Sequence, residues 1–212
     1  MRRGYTGCVL LLVLGVAWGW SAGAVRAQEQ EAPAVAAAKE PRDEVETDLR
    51  QRMRRGLKTF GAAVGRVEQH EMPSGPRTDL SGDRLEVSKR RFSSDRVEKG
   101  LELSLSDLAG NGHATEMWQL NVSRRQYYRV RSDYGLFWSV GVGLTRLTDL
   151  VPEQSTHTNF DQYLGLGAIW ARGQRGAWTG ECRFFHVSNG KRQDPNVGLN
   201  CSTWLVGWSV FF

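Results

Sequence analysis

The chain has little of several things, and each scarcity removes a class of protein. It has 212 residues and only three cysteines, Cys8, Cys182 and Cys201, too few for a disulfide-framed secreted scaffold. Its four histidines, His70, His113, His157 and His186, show no metal-ligand spacing, and no metal or other cofactor is expected. The formal charge is only +5, and Arg2, Arg3 and Arg26 of that excess fall in the leader, so no polybasic footprint for nucleic acid remains. Beyond the first 20 residues no apolar run is long enough for a membrane-spanning helix. The mean hydropathy is −0.45. That value suits a soluble protein and also suits a membrane barrel, in which only alternate residues meet lipid.

The leader itself is informative. MRRGYTGCVLLLVLGVAWGW followed by SAGAVRAQ joins two arginines, a short apolar run and a small-residue boundary, which predicts a secretory signal peptide over 1–27. Residues 28–56, alanine mixed with dense charge, read as a periplasmic linker, disordered or partly helical over 43–55, that contributes nothing to a core. The domain proper is expected over 57–212.

There the pattern turns to period two. Trp118, Leu120 and Val122 alternate with Gln119, Asn121 and Ser123. Leu136, Trp138, Val140, Val142 and Leu144 alternate with Gly135, Ser139, Gly141 and Gly143, and Trp204, Val206, Trp208 and Val210 with Thr203, Gly207 and Ser209. This is strand periodicity. It predicts eight strands near 57–69, 84–92, 97–107, 114–130, 134–147, 160–172, 177–188 and 199–212. Each approaches or exceeds the ~9–11 residues that a tilted strand needs to cross a bilayer. Connections near 70–83, 108–113, 148–159 and 189–198 read as long, and those near 93–96, 131–133 and 173–176 as short. Long loops at one end and tight turns at the other describe an eight-stranded antiparallel transmembrane β-barrel in a bacterial outer membrane.

The polar faces carry Gly, Ser, Thr, Arg and Glu. They suit a barrel lumen, where Glu98, Glu102, Arg125, Glu181 and Arg183 would form filling ion pairs. The competing architecture, a soluble sandwich, would have to bury the tryptophan-rich face instead. Strand phase also puts Cys182 on the lipid side and Cys201 in the lumen, which argues against a disulfide between them.

The seventh strand ends in FFHVSNGKRQDPNVGLN, residues 184–200. Its odd positions, Thr179, Glu181 and Arg183, point into the lumen. Its even positions, Cys182, Phe184, His186 and Ser188, therefore face lipid at the outer end. Residues two apart share a strand face roughly 6.5–7 Å apart, a gap that an imidazole can span to reach a hydroxyl, so the pair suits a general base activating a serine. Asn200 and Ser202 lie on the same parity of the next strand. The plainer reading makes all four polar residues of an interfacial rim. His70, His113 and His157 read as surface loop residues.

HVSN at 186–189, PNVGLN at 195–200 and the aromatic-ending last strand resemble the lipid A 3-O-deacylase family, the PagL-type acyloxyacyl hydrolases. The resemblance is close over roughly the last 27 residues. It implies an outer-membrane serine esterase that removes an ester-linked acyl chain from lipid A of lipopolysaccharide, with His186 as base and Ser188 as nucleophile. It further implies that Asn196, with backbone N–H groups near Asn189, contributes to the oxyanion or substrate site. Where family members carry a glutamate beside the histidine, this chain has Asn200. Glu181 is on the wrong face to replace it, and Asp194 in the loop is a remote alternative. Lys191, Arg192 and Arg77 are candidates to meet lipid A phosphates. The partners implied are lipopolysaccharide and the outer membrane, with a homodimer left open. A non-catalytic barrel, a degenerate deacylase, is the alternative function.

Overall fold

The computed structural model describes residues 48–70 and 78–212; the expected signal peptide, most of the linker and Arg77 lie outside them. A single helical turn, α1 (Leu49–Arg52), precedes eight strands: β1 (Lys58–Gln69), β2 (Ser81–Ser94), β3 (Val97–Gly110), β4 (His113–Val130), β5 (Tyr134–Leu147), β6 (Thr158–Arg172), β7 (Gly176–Ser188) and β8 (Leu199–Phe211). Every neighbouring pair is antiparallel, and β1 pairs with β8, so the sheet closes into a barrel. Closure leaves no strand edge unpaired, which backbone groups in a bilayer require.

The period-two pattern sorts the side chains as expected, inverted relative to a soluble protein. Leu120, Val142, Leu164, Trp204 and Val206 stand exposed on the wall, while Arg183, Glu102, Gln119 and Ser106 are buried in the lumen. Trp170, Trp178 and Phe212 are exposed near strand ends, where an aromatic girdle belongs.

The middle of the lumen holds four buried arginines (Arg84, Arg90, Arg125, Arg183) and four buried glutamates (Glu86, Glu98, Glu102, Glu181). Arg183 bonds Glu86 at 2.8 Å, Glu181 at 2.7 Å and Glu102 at 3.1 Å. Arg90 reaches Glu102 at 2.6 Å and Arg125 reaches Glu181 at 2.5 Å. An unpaired charge there would cost several kcal/mol, and mutual pairing with equal numbers of each sign offsets that. Apolar clusters close the two ends. Val67, Leu108, Met117, Leu147, Val187 and Leu199 lie at the loop end; Phe92, Tyr127, Phe137, Ile169 and Phe211 lie at the turn end.

Two expectations are corrected. The segment before residue 57 does contribute to a core: Leu49 and Met53, four residues apart on α1 and its cap, are buried in the turn-end cluster. Asp48 caps the turn by accepting from Arg50 N at 2.9 Å, and Arg52 donates to the carbonyls of Gly173 and Gly176. The connection near 108–113 is not long. Gly110 pairs with His113 across Asn111 and Gly112, whose φ values of 43° and 83° make a two-residue hairpin turn.

The cysteines follow their predicted phases. Cys182 is partly exposed, Cys201 is buried, and both are free.

Candidate active site

His186 and Ser188 end β7 at the loop end, both half-buried and both on the outward face. The register sets Asn200 of β8 opposite His186 on one side and Gln162 of β6 opposite it on the other. Ser188 is opposite Phe160. The imidazole Nδ1 lies 2.8 Å from Asn200 Oδ1. An amide oxygen can only accept, so it fixes the tautomer with hydrogen on Nδ1 and leaves the Nε2 lone pair available as a base.

Asn200 is only 7 % exposed although its parity is outward. The His70 backbone and the His186 ring lie against it. Gly198 adopts φ +86°, and a Cβ there would stand 2.5 Å from His186 Cε1. Both the left-handed backbone and the approach to the ring therefore require glycine at that position.

The loop 189–198 is built around Asn189, which is fully buried. Its amide donates to Gln193 O at 2.6 Å and to Ser155 Oγ at 3.1 Å. Its backbone N–H donates to Asn196 Oδ1 at 2.9 Å, and its carbonyl accepts from Arg192 Nε at 2.7 Å. That backbone N–H is thus occupied. Asn196 is held by its oxygen, and its Nδ2 has no hydrogen-bond partner among the described residues. Of the expected oxyanion pair, Asn196 offers a free donor and Asn189 positions it.

The connection between β5 and β6 supports the loop from beneath, which local sequence reading did not foresee. Glu153 and Gln154 are each 1 % exposed. Gln154 Nε2 donates to Val187 O at 3.1 Å and its backbone bridges to Asn196. Val197 N donates to Glu153 O at 3.2 Å, and Glu153 Oε1 accepts from Thr78 N and Gln69 Nε2. The run VPEQSTHTN resembles any polar loop, and nothing in it announces a buried carboxylate.

His70, expected as an isolated surface residue, flanks the site instead. Its N–H donates to Asn200 O at 2.7 Å, and its ring stacks on Phe184 at 6.1 Å. His157 bonds Leu147 O, and His113 opens β4 beside the hairpin turn. Glu181 is inside the lumen with Arg125 and Arg183, as its phase required. Asp194 is exposed in the loop and makes no bond to His186.

Beside Ser188 a shallow groove of about 440 Å³ crosses the outer wall, lined by Val142, Leu144, Phe160, Gln162, His186 and Ser188. Its floor is apolar and opens toward lipid. An imidazole with a fixed tautomer and a hydroxyl on the same strand face thus line the head of an apolar channel, and Asn196 is held by the backbone of Asn189, the residue that follows the hydroxyl.

The family model for lipid A 3-O-deacylase (PagL) matches residues 89–209, more than half of the chain. Among curated proteins none matches the sequence. Among solved structures, Neisserial surface protein A is 12% identical with a TM-score of 0.61, covering 74% of this chain and 99% of that one. The outer membrane enzyme PagL is 18% identical with a TM-score of 0.50, covering 72% and 98%. At such identities these two likenesses speak for the barrel alone; the sequence match to the family model carries the assignment. This outer-membrane β-barrel belongs to the lipid A 3-O-deacylase (PagL) family.

Proposed function

We propose that the protein is a serine esterase that hydrolyses an ester-linked acyl chain of lipid A at the outer leaflet. The observation that carries this reading is the 2.8 Å contact between His186 Nδ1 and Asn200 Oδ1, on the lipid-facing wall and two residues from Ser188. With Nδ1 protonated, Nε2 accepts the Ser188 proton as Oγ bonds the ester carbonyl carbon. The carbonyl oxygen becomes an oxyanion, which Asn196 Nδ2 stabilises by donation. Collapse breaks the ester C–O bond, and the imidazolium returns its proton to the departing sugar oxygen. Water, deprotonated by the same Nε2, then attacks the acyl-serine. The free fatty acid leaves and the Ser188 hydroxyl is restored. The substrate is itself a membrane lipid, so a groove open to the bilayer suffices and no tunnel is needed.

Asn200 sets a limit on rate. Its dipole orients the imidazole but does not neutralise the imidazolium, and a charge-assisted bond is roughly twice as strong as a neutral one. The same neutral partner is what favours the second reading, a barrel that keeps the fold and has lost the chemistry. Purified protein incubated with lipid A in detergent separates the two. Release of one fatty acid, abolished in Ser188→Ala, supports the esterase. No release from the parent protein, under conditions where the barrel is folded, supports the second reading.

A further inference from the structure

Resting on the esterase reading of Ser188, we infer that Arg146 and Arg192 form an anion clamp that recognises a phosphomonoester on the lipid headgroup beside the scissile ester. Arg146 continues the outward row of Val142 and Leu144 on β5 and is exposed one step beyond the groove, opposite Thr158 of β6. Arg192 approaches the same point from the other side. Its Nη2 donates to Thr158 O at 2.5 Å, its Nε donates to Asn189 O, and its guanidinium lies 5.0 Å from the Phe160 ring centroid. Phe160 is the residue opposite Ser188. Arg146 by register and Arg192 by contact thus both stand at Thr158, the headgroup end of the groove.

Neither arginine has a carboxylate within salt-bridge distance among the described residues. Glu116 and Asp149 are exposed on the same rim and pair with neither. The lumen arginines contrast with them, since each is matched by a glutamate. A cation on a lipid-facing wall needs water or an anion. Two backbone carbonyls and a ring hold Arg192 in one orientation, which prepares its remaining donors for a phosphate. The groove also fixes direction. With an acyl chain lying along Phe160, Leu144 and Val142 and its ester carbonyl at Ser188, the sugar and its substituents point toward Thr158 and the two arginines. The ligand class is an acylated sugar lipid bearing a phosphomonoester, as distinct from free phosphate.

Arg192 also holds the Asn189 turn, so Arg146 carries the test. The probes are bisphosphorylated lipid A and the same lipid A with its phosphates removed, titrated into Ser188→Ala protein in detergent so that binding is read without turnover. The phosphorylated lipid is expected to bind about ten-fold tighter, a charge-assisted contribution of ordinary size. Arg146→Gln should remove most of that preference, Arg146→Lys should retain most of it, and millimolar inorganic phosphate should leave the lipid bound. Equal affinity for the two lipids, or a preference unchanged in Arg146→Gln, overturns the clamp. Displacement of the lipid by inorganic phosphate overturns the lipid headgroup as its ligand. A parent protein that binds with this preference and hydrolyses nothing refutes the esterase reading while the clamp stands.

Discussion

The lumen and the outer wall both hold polar groups out of bulk water, and they solve that problem differently. In the lumen, charge meets charge: Arg183 alone touches Glu86, Glu102 and Glu181. On the wall, His186 meets the neutral amide of Asn200, and no carboxylate bonds it among the described residues. A charge network locks geometry, which suits a plug that must not move. A neutral pair orients the imidazole and leaves its Nε2 lone pair open, which suits a base. The difference predicts that substitutions in the lumen register mainly as stability and substitutions on the wall mainly as turnover.

The largest effect should come from the wall. His186→Ala should lower kcat by about 10³-fold or more, the scale seen when a member of a catalytic set is removed, while the heat-modifiable barrel folds normally in gel-shift assays. The lumen counterpart is Arg183→Met, which leaves three glutamates short of a partner. Breaking a buried ion pair from one side costs about 3–5 kcal/mol, so urea unfolding in detergent should shift by that amount. The per-molecule turnover of the folded fraction should stay close to that of the parent.

Asn200 sharpens the comparison by moving a charge from one region's logic to the other's. Asn200→Glu would give the wall the kind of pairing that the lumen has. It should raise kcat by about ten-fold, equivalent to ~1–2 kcal/mol of imidazolium stabilisation. Asn200→Ala should lower kcat by a comparable or larger factor. If neither variant differs from the parent in steady-state hydrolysis, the 2.8 Å contact does not orient the base. A smaller effect is expected for Gly198→Ala, where the left-handed backbone and the added methyl both push on the His186 ring. It should reduce kcat and cost about 1 kcal/mol in unfolding. The smallest expected effect is none at all: with Cys182 outward and Cys201 inward, migration on gels should be identical with and without reductant.

Much of this was legible because a barrel wall encodes its faces locally. Period two alone placed Glu181 inside and His186 outside, and the register then put Asn200 beside the imidazole. Two of the corrected features do have a local signal. Leu49 and Met53 are four apart, a one-turn helix face, and Asn111-Gly112 is a strong hairpin signal. Other features have no local signal. That Arg84, Glu86 and Arg90 of β2 join Arg183 of β7 depends on which strands face each other across the lumen. That Gln154 buttresses Val187, and that Arg192 stacks on Phe160, depends on how the loops fold over the barrel mouth. The chemical groups could be read along one strand, whereas their supports come from elsewhere in the chain.

The most direct test of the account is mass spectrometry of lipid A from cells expressing the parent protein, the Ser188→Ala variant or neither. Lipid A lacking one ester-linked acyl chain is expected with the parent alone, and unmodified lipid A in the other two. Loss of the chain in cells carrying Ser188→Ala, or no loss with a correctly folded parent in the outer membrane, would contradict it.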